Sequence, residues 1–185
     1  IQTDYVQNKL VHYATGKLSK SLGTEVRIRQ VSISLFNKLN MEGMLVRDRK
    51  KDTILYAGQL KVRMTDWFFL KNKAVLKYVG LEDAVIKLQR TDSVWNYQFI
   101  ADYFASPNPK PKDTTGGLDL DLKKIDLKNV HFLNNDRWTG DILDARIASL
   151  VLDADKIDLR NNRFNISSVV LNKPQVSIYS LTPLR

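Results

Sequence analysis

Residues 54–64 read ILYAGQLKVRM, and this stretch decides the fold class. Its second half alternates apolar and charged side chains: Leu60, Val62 and Met64 are separated by Lys61 and Arg63. Successive side chains of a β-strand point to opposite faces, so a period of two puts the three apolar residues on one face. The stretch therefore predicts a strand with one apolar and one polar face.

The same alternation extends from this strand toward both ends of the chain. A slip in the period between Ile28 and Val31 suggests a bulge. We predict a mainly β fold: a curved antiparallel sheet, or taco-like β-groove, built of repeated strands. The alternating stretches are 26–28, 31–35, 39–46, 74–79, 84–88 and 118–178.

Residues 1–22 carry a long helical period. Val6, Leu10, Ala14 and Leu18 fall on one face of this helix, and Gly23 is placed to end it. An apolar helix face needs a cover, so we predict that residues 1–23 form an amphipathic helix that packs on the first strands and caps the groove.

The rest of the chain divides at a stretch rich in proline and glycine. Residues 105–117, ASPNPKPKDTTGG, hold three prolines and two glycines, which predicts a loop or linker that is mobile and protease-sensitive at 106–116. It separates a first β repeat region, 24–104, from a second, 118–185. The sequence begins with Ile1 rather than methionine, and we expect it to be a fragment of a longer chain.

A short motif recurs along the strands. LEDAVIKL at 81–88 resembles LNKPQVSI at 171–178, and looser forms are MEGMLV at 41–46 and LKNVHFL at 127–133. Their starts are 40, 46 and 44 residues apart, which favours stacked supersecondary units. The alternative is that short alternating strands resemble one another without a repeat.

Composition excludes several classes of protein. The 185 residues include no cysteine, so disulfides and thiolate chemistry are excluded. The net charge of +9 fits a solvated surface, an anionic lipid or an acidic partner. The basic residues form no footprint with interleaved aromatics, so we predict no nucleic-acid binding.

The residues that carry enzyme chemistry are sparse. The nucleotide-binding, zinc-protease and serine-hydrolase motifs are absent, and His12 and His131 are far apart in the sequence. We predict a protein that is not an enzyme, with no catalytic residue, no cofactor and no metal. Aspartates two residues apart, such as Asp119 with Asp121, could bind Ca²⁺, but such residues more often simply form the solvent face of a strand.

Strands with one apolar face need something to cover it, and a single long helix cannot cover them all. The uncovered face would form an apolar trough that suits acyl chains. A sandwich with a filled core is the alternative, and the residues leave both open. The predicted lipid-binding face consists of Leu60, Val62, Met64, Ala84, Ile86, Leu88, Val130, Phe132, Leu150, Leu152, Phe164, Ile166, Val176 and Ile178.

The order of these segments resembles a known family. The helix ending in LGTEV (22–26), then VSISLFNKLNMEGMLVRD (31–48), ILYAGQLKVRM (54–64) and YVGLEDAVIKLQR (78–90), is similar to the N-terminal periplasmic region of TamB-like proteins of the AsmA superfamily, most of all those of Bacteroidota. The resemblance covers 1–104; beyond 118 only the repeated-strand character is shared.

The resemblance implies a location and partners. Such proteins hold an N-terminal helix in the inner membrane and extend a β-groove through the periplasm. The groove would conduct phospholipids, whose acyl chains it contacts, between inner and outer membrane. The alternative role is a protein-interaction scaffold for assembly or translocation of outer-membrane proteins. The resemblance places the anchor before Ile1, and the contact with an outer-membrane barrel partner in a C-terminal part beyond this sequence.

Overall fold

The computed structural model describes residues 4–34, 38–64, 73–105, 117–158 and 163–183. Two helices lie within these ranges, α1 (Asp4–Leu22) and α2 (Gln98–Ala105). The strands are β1 (Val26–Arg27), β2 (Gln30–Ser34), β3 (Lys38–Arg47), β4 (Thr53–Met64), β5 (Lys73–Arg90), β6 (Gly117–Asp136), β7 (Asp141–Asp158) and β8 (Arg163–Ser180).

All eight strands belong to one curved sheet that does not close on itself. Its order is β1-β3-β4-β5-β6-β7-β8, and β2 pairs with β3 further along the edge that β1 occupies. Every pair is antiparallel except β5 with β6. The predicted mainly β fold with an N-terminal helix is therefore confirmed, with one parallel pair in the predicted antiparallel sheet.

The parallel pair divides most of the sheet into two three-stranded meanders, β3–β4–β5 and β6–β7–β8. The first strands of both meanders run in the same direction, since β3 is parallel to β5 and β5 to β6. The chain returns from the end of β5 to the start of β6 through residues 91–116, which include α2. The two predicted β regions are thus joined edge to edge in one sheet.

One extra residue interrupts the alternation of faces in each long strand, and these residues lie side by side across the sheet. Successive apolar positions there are three residues apart instead of two. Both partners of each pair carry the extra residue, so the register is unchanged: Ala57 pairs with Ala84, and Leu60 with Leu81. We call this line the insertion row. Its members are Arg29 (between β1 and β2), Gly43, Gly58, Asp83, Asn129, Ala148 and Lys173.

Backbone conformation explains which residue types occupy the insertion row. Gly43, Asp83, Asn129 and Lys173 have φ of 60°, 51°, 49° and 46°. Glycine, asparagine and aspartate tolerate this left-handed region best. Each of the four is the third residue of the motif that recurs at 41, 81, 127 and 171. The recurring motif thus marks the insertion row.

Arg90 and Asp136 connect the C-terminal ends of the parallel strands. Arg90 donates to the Asp136 carboxylate twice, once from Nε at 2.8 Å and once from Nη2. Its guanidinium also lies 4.9 Å from the ring centre of Trp95, in the crossover. The hydrogen bonds from Arg90 are the main reason why the pKa of Asp136 is lowered to about 2.

Helix α1 packs on the first strands, as its apolar face predicts. Its contacts with the sheet are to β1 and β2. Ala14 is 1% exposed, and Leu10 and Leu18 are half-buried against the same apolar cluster. Gly23, with φ of 64°, follows the last turn. The side chain of Val6, the fourth predicted contact, lies outside the described residues.

Two further predictions concern the middle of the chain. Stretches 74–79 and 84–88, which the alternation separates, are parts of the single strand β5, because Asp83 inserts one residue without ending the pairing. The predicted linker, 105–117, begins with the last residue of α2 and ends with the first residue of β6. Residues 106–116 lie outside the described residues, so their mobility stays a prediction.

Candidate functional site

The register of the sheet sorts its side chains into an apolar face and a polar face. Two complete rows of directly paired apolar residues cross the sheet from β2 to β8 on one side of the insertion row. The first row is Val31, Met41, Leu60, Leu81, Leu127, Leu150 and Leu171. The second is Ile33, Leu39, Val62, Val79, Ile125, Leu152 and Val169.

The apolar face continues beyond the insertion row, because the three-residue step restores the same orientation. One buried cluster contains residues from both sides of the row, among them Leu60 and Ala57. The rows beyond it are Met44, Ala57, Ala84, Val130, Ile147 and Pro174, followed by Val46, Leu55, Ile86, Phe132, Ala145 and Val176. One apolar surface therefore extends over both sides of the insertion row.

All fourteen residues of the predicted lipid-binding set belong to this apolar face by register. Their exposure differs systematically with strand. The buried ones are Leu60, Val62, Met64, Ala84 and Val130. The half-buried ones are Ile86, Leu88, Phe132, Leu150 and Leu152. The exposed ones, all on β8, are Phe164, Ile166, Val176 and Ile178.

Helix packing accounts for this gradient of exposure. Helix α1 contacts β1, β2 and α2, while α2 contacts β6. The face is therefore covered at the β1–β4 end, where Leu60 is 8% exposed, and open at β8, where Ile178 is 75% exposed. The accessible part of the predicted site is therefore its β8 part. The β7 residues Leu150 and Leu152 are half-buried, and the buried residues of β4, β5 and β6 serve the core.

The opposite face is polar and carries ion pairs between neighbouring strands. Lys61 pairs with Glu82 at 3.2 Å, and Lys124 with Asp153 at 3.0 Å. Lys77 donates a hydrogen bond to Asp121, which is the main reason why the pKa of Asp121 lies below its usual value. A sheet with such a distribution has one solvated side and one side suited to apolar contacts.

A groove of about 680 Å³ follows the insertion row on the polar face. Its lining includes Asp83, Asn129 and Lys173 of the row, together with His131 and Arg146. His131 Nε2 lies 2.8 Å from Asp144 Oδ1, so that nitrogen is occupied within the protein. The other histidine, His12, is exposed on α1.

Two aspartates on the long strands form ion pairs with lysines, while the side chain of Asp119 lies outside the described residues. Asp121 pairs with Lys77 and Lys123, and Asp153 with Lys124. Within the described ranges, no group of three or more histidine, cysteine or acidic residues is arranged to hold a metal ion.

Sequence reasoning missed part of the accessible face. Val169 and Leu171 of β8 are 53% and 45% exposed and extend the two apolar rows. Their direct partners, Leu152 and Leu150, were in the predicted set. The signal that identifies them is cross-strand pairing, which needs the β7–β8 register and is not visible in either strand alone.

In comparisons with known proteins, no family model and no curated protein matches the chain. In the part of the chain that the structure describes, no helix has the length and apolar character needed to cross a bilayer.

Proposed function

We propose that this protein is a non-enzymatic segment of the cell envelope that conducts phospholipids along its apolar face. The observation that carries the proposal is the unbroken apolar surface across β2–β8, which is covered at one end of the sheet and open at the other. Acyl chains are the chemistry that such a surface favours, because each methylene removed from water contributes about 0.8 kcal/mol.

The geometry also fits an amphipathic ligand. Val176 and Ile178 lie on the exposed edge strand β8. An acyl chain that contacts them can therefore leave its headgroup in water. The insertion row brings Val169 and Leu171 to the same face of β8 as Val176 and Ile178. A second irregularity, beside Ala154, does the same for Phe164 and Ile166.

The cellular setting of the proposal rests on the resemblance of residues 1–104 to TamB-like proteins. It comprises a periplasmic location, an inner-membrane anchor preceding Ile1, and a barrel partner in the outer membrane bound through a C-terminal part. Transport between the two membranes follows from that setting.

The amount of phospholipid bound to the purified protein tests the proposal directly. The protein is purified without detergent, and bound phospholipids are quantified by mass spectrometry. Val176→Lys places a charge on the open apolar face, and we expect it to lose most of the bound lipid. The matched control is Ser177→Lys, one residue along on the polar face, which should retain lipid at the parent level. A parent protein without lipid, or equal lipid in both variants, would exclude the proposal.

A second candidate function is a protein-interaction scaffold for assembly of outer-membrane proteins. The observation that favours it is the exposure of Val170 and Tyr179, which lie on the polar face of β8, at 54% in each case. Lipid transfer along the apolar face does not require these two residues. Loss of partner binding in a Val170→Ser/Tyr179→Ser variant with unchanged lipid content would support the scaffold.

A further inference from the structure

The groove on the polar face contains a cation that the protein itself does not neutralise. Arg146 belongs to a row of directly paired residues that crosses β4 to β8: Tyr56, Val85, His131, Arg146 and Gln175. All five line the groove of about 680 Å³. The strands on both sides of Arg146 place His131 and Gln175 opposite it, and neither residue carries a carboxylate.

Two carboxylates close to Arg146 in the sheet have other partners. Asp144, two residues away on the same face of β7, lies 2.8 Å from His131 Nε2. Asp83, two strands away, accepts a hydrogen bond from Asn129. Arg146 therefore forms no ion pair with any residue in the described ranges, unlike Lys61 and Lys124 on the same face.

The part of the groove beside Arg146 has room for a ligand and further hydrogen-bond donors. Ala148, the member of the insertion row on β7, is exposed there and has only a methyl group as side chain. The ammonium group of Lys173 and the amide of Gln175 line the same groove. The face of the sheet, rather than its edge, thus presents a guanidinium, an ammonium and an amide together.

We propose that this groove binds a phosphate-bearing ligand, with its phosphate group held by Arg146 and Lys173. A guanidinium donates two parallel hydrogen bonds to an oxyanion, and an ammonium group donates up to three. Together with the Gln175 amide, these donors suit the three terminal oxygens of a phosphate monoester better than the two of a carboxylate. At the other end of the row, the exposed ring of Tyr56 offers a surface for the organic part of the ligand.

This site is separate from the apolar surface of the proposed function. The groove lies on the polar face, and the apolar rows lie on the opposite face of the same sheet. A lipid on the apolar face therefore cannot present its headgroup to Arg146 through the sheet. The phosphate site does not rest on lipid conduction, and the lipid content of the purified protein does not test it.

Isothermal titration calorimetry of the 185-residue protein with glycerol 3-phosphate, at about 50 mM NaCl, tests the proposal. We expect saturable binding that Arg146→Gln weakens about tenfold, because charge-assisted hydrogen bonds are lost. The matched control is Arg29→Gln, which removes the same charge from an exposed position of the insertion row at the other end of the sheet. This control should bind like the parent.

A second variant should strengthen binding, which a damaged fold would not do. Asp83→Asn removes a carboxylate that shares the groove and lies about 10 Å from Arg146 across two strand spacings. Asparagine tolerates the positive φ of this position, and charges at this distance still interact at about 50 mM salt. We expect glycerol 3-phosphate to bind about twofold to threefold more tightly to this variant.

Two further ligands define the chemistry of the site. Glycerate, which has a carboxylate in place of the phosphate, should bind at least about fivefold more weakly. Dihexanoyl phosphatidic acid carries the same phosphate monoester on two acyl chains. If its Arg146-dependent affinity is equal to that of glycerol 3-phosphate or lower, the site takes soluble esters; if it is higher, the site takes lipid headgroups.

Four results would each overturn the proposal. They are no binding of either phosphate ligand, equal affinity of Arg146→Gln and the parent, equal affinity for glycerate and glycerol 3-phosphate, and weaker binding by Asp83→Asn. A loss in Arg29→Gln as large as that in Arg146→Gln would also overturn it, because binding would then reflect net charge rather than this groove.

Discussion

Asn129 donates a hydrogen bond from its side-chain amide to the carboxylate of Asp83 across the parallel β5–β6 pair, with 2.6 Å between Nδ2 and Oδ1. Both residues have positive φ, 49° for Asn129 and 51° for Asp83. The side-chain contact therefore connects the two backbone sites where the alternation of the parallel strands is interrupted. This hydrogen bond explains why both positions of the insertion row carry polar residues here. Positive φ by itself would be met equally well by glycine.

Asn129→Val should destabilise the protein by about 2 kcal/mol or more, since a β-branched residue at positive φ adds backbone strain and the hydrogen bond to Asp83 is lost. Asn129→Gly removes the same hydrogen bond and accepts the backbone conformation, so it should cost about 1 kcal/mol at most. Urea unfolding of both variants beside the parent measures the difference. Equal destabilisation would mean that backbone strain does not matter at Asn129.

Gly58→Val should also be destabilising, by about 1–3 kcal/mol, because the added side chain overpacks the sheet at the insertion row. A Cβ at this position would lie 3.0 Å from the Asp83 Cβ and 3.3 Å from the Glu82 carbonyl oxygen. The control is Gly16→Ala on α1, where a Cβ meets nothing within 4 Å. That change should stabilise by about 0.5–1 kcal/mol through helix propensity. Thermal melting should move in opposite directions for the two variants.

Leu10→Asp should unfold or aggregate the protein. Leu10 is half-buried in the cluster under α1, and the variant combines a loss of about 2–5 kcal/mol from truncating a packed leucine with the burial of a charge. Lys9→Asp, on the exposed side of the same turn, should melt close to the parent. If Leu10→Asp melted like the parent, α1 would not contribute to the stability of the sheet.

Acid should weaken the connection between β5 and β6. The pKa of Asp136 is lowered to about 2, chiefly by hydrogen bonds from Arg90. A carboxylate with a depressed folded-state pKa contributes stability above its unfolded pKa of about 3.9, and that contribution is lost as pH falls toward 2. Urea midpoints measured from pH 5 to pH 2 should therefore fall less steeply for Asp136→Asn than for the parent. Arg90→Gln should flatten the curve in the same way, and an unchanged slope in both would contradict this role of the pair.

Much of the fold follows from local pattern. The period of two at Leu60, Val62 and Met64 was sufficient to predict a strand and the orientation of its apolar side. The slip after Ile28 and the recurring motif at 41, 81, 127 and 171 are both signs of the insertion row. The sequence does not show that these positions align across the sheet, because alignment depends on pairing between strands distant in the chain.

The sequence was sufficient to predict which residues belong to the candidate site. It was not sufficient to predict which of them are accessible. Alternation placed all fourteen residues on one face, but it cannot distinguish Val130, which is 2% exposed, from Val176, which is 55% exposed. That difference depends on which strand is at the edge and where the helices pack. The parallel pairing of β5 with β6 was also not predictable, since it depends on the return of the chain through 91–116.

The parallel junction has a consequence for the order in which the protein folds. Within the first meander, strands are joined by short connections: Arg47 and Thr53, at the β3–β4 turn, already pair. Across the junction, paired residues such as Lys77 and Asp121 are 44 positions apart. Closing so long a loop costs more entropy and is slower than forming a hairpin. During synthesis, β3–β5 can therefore assemble while β6 is still within the ribosome, and the second meander can then add to an edge that is already formed.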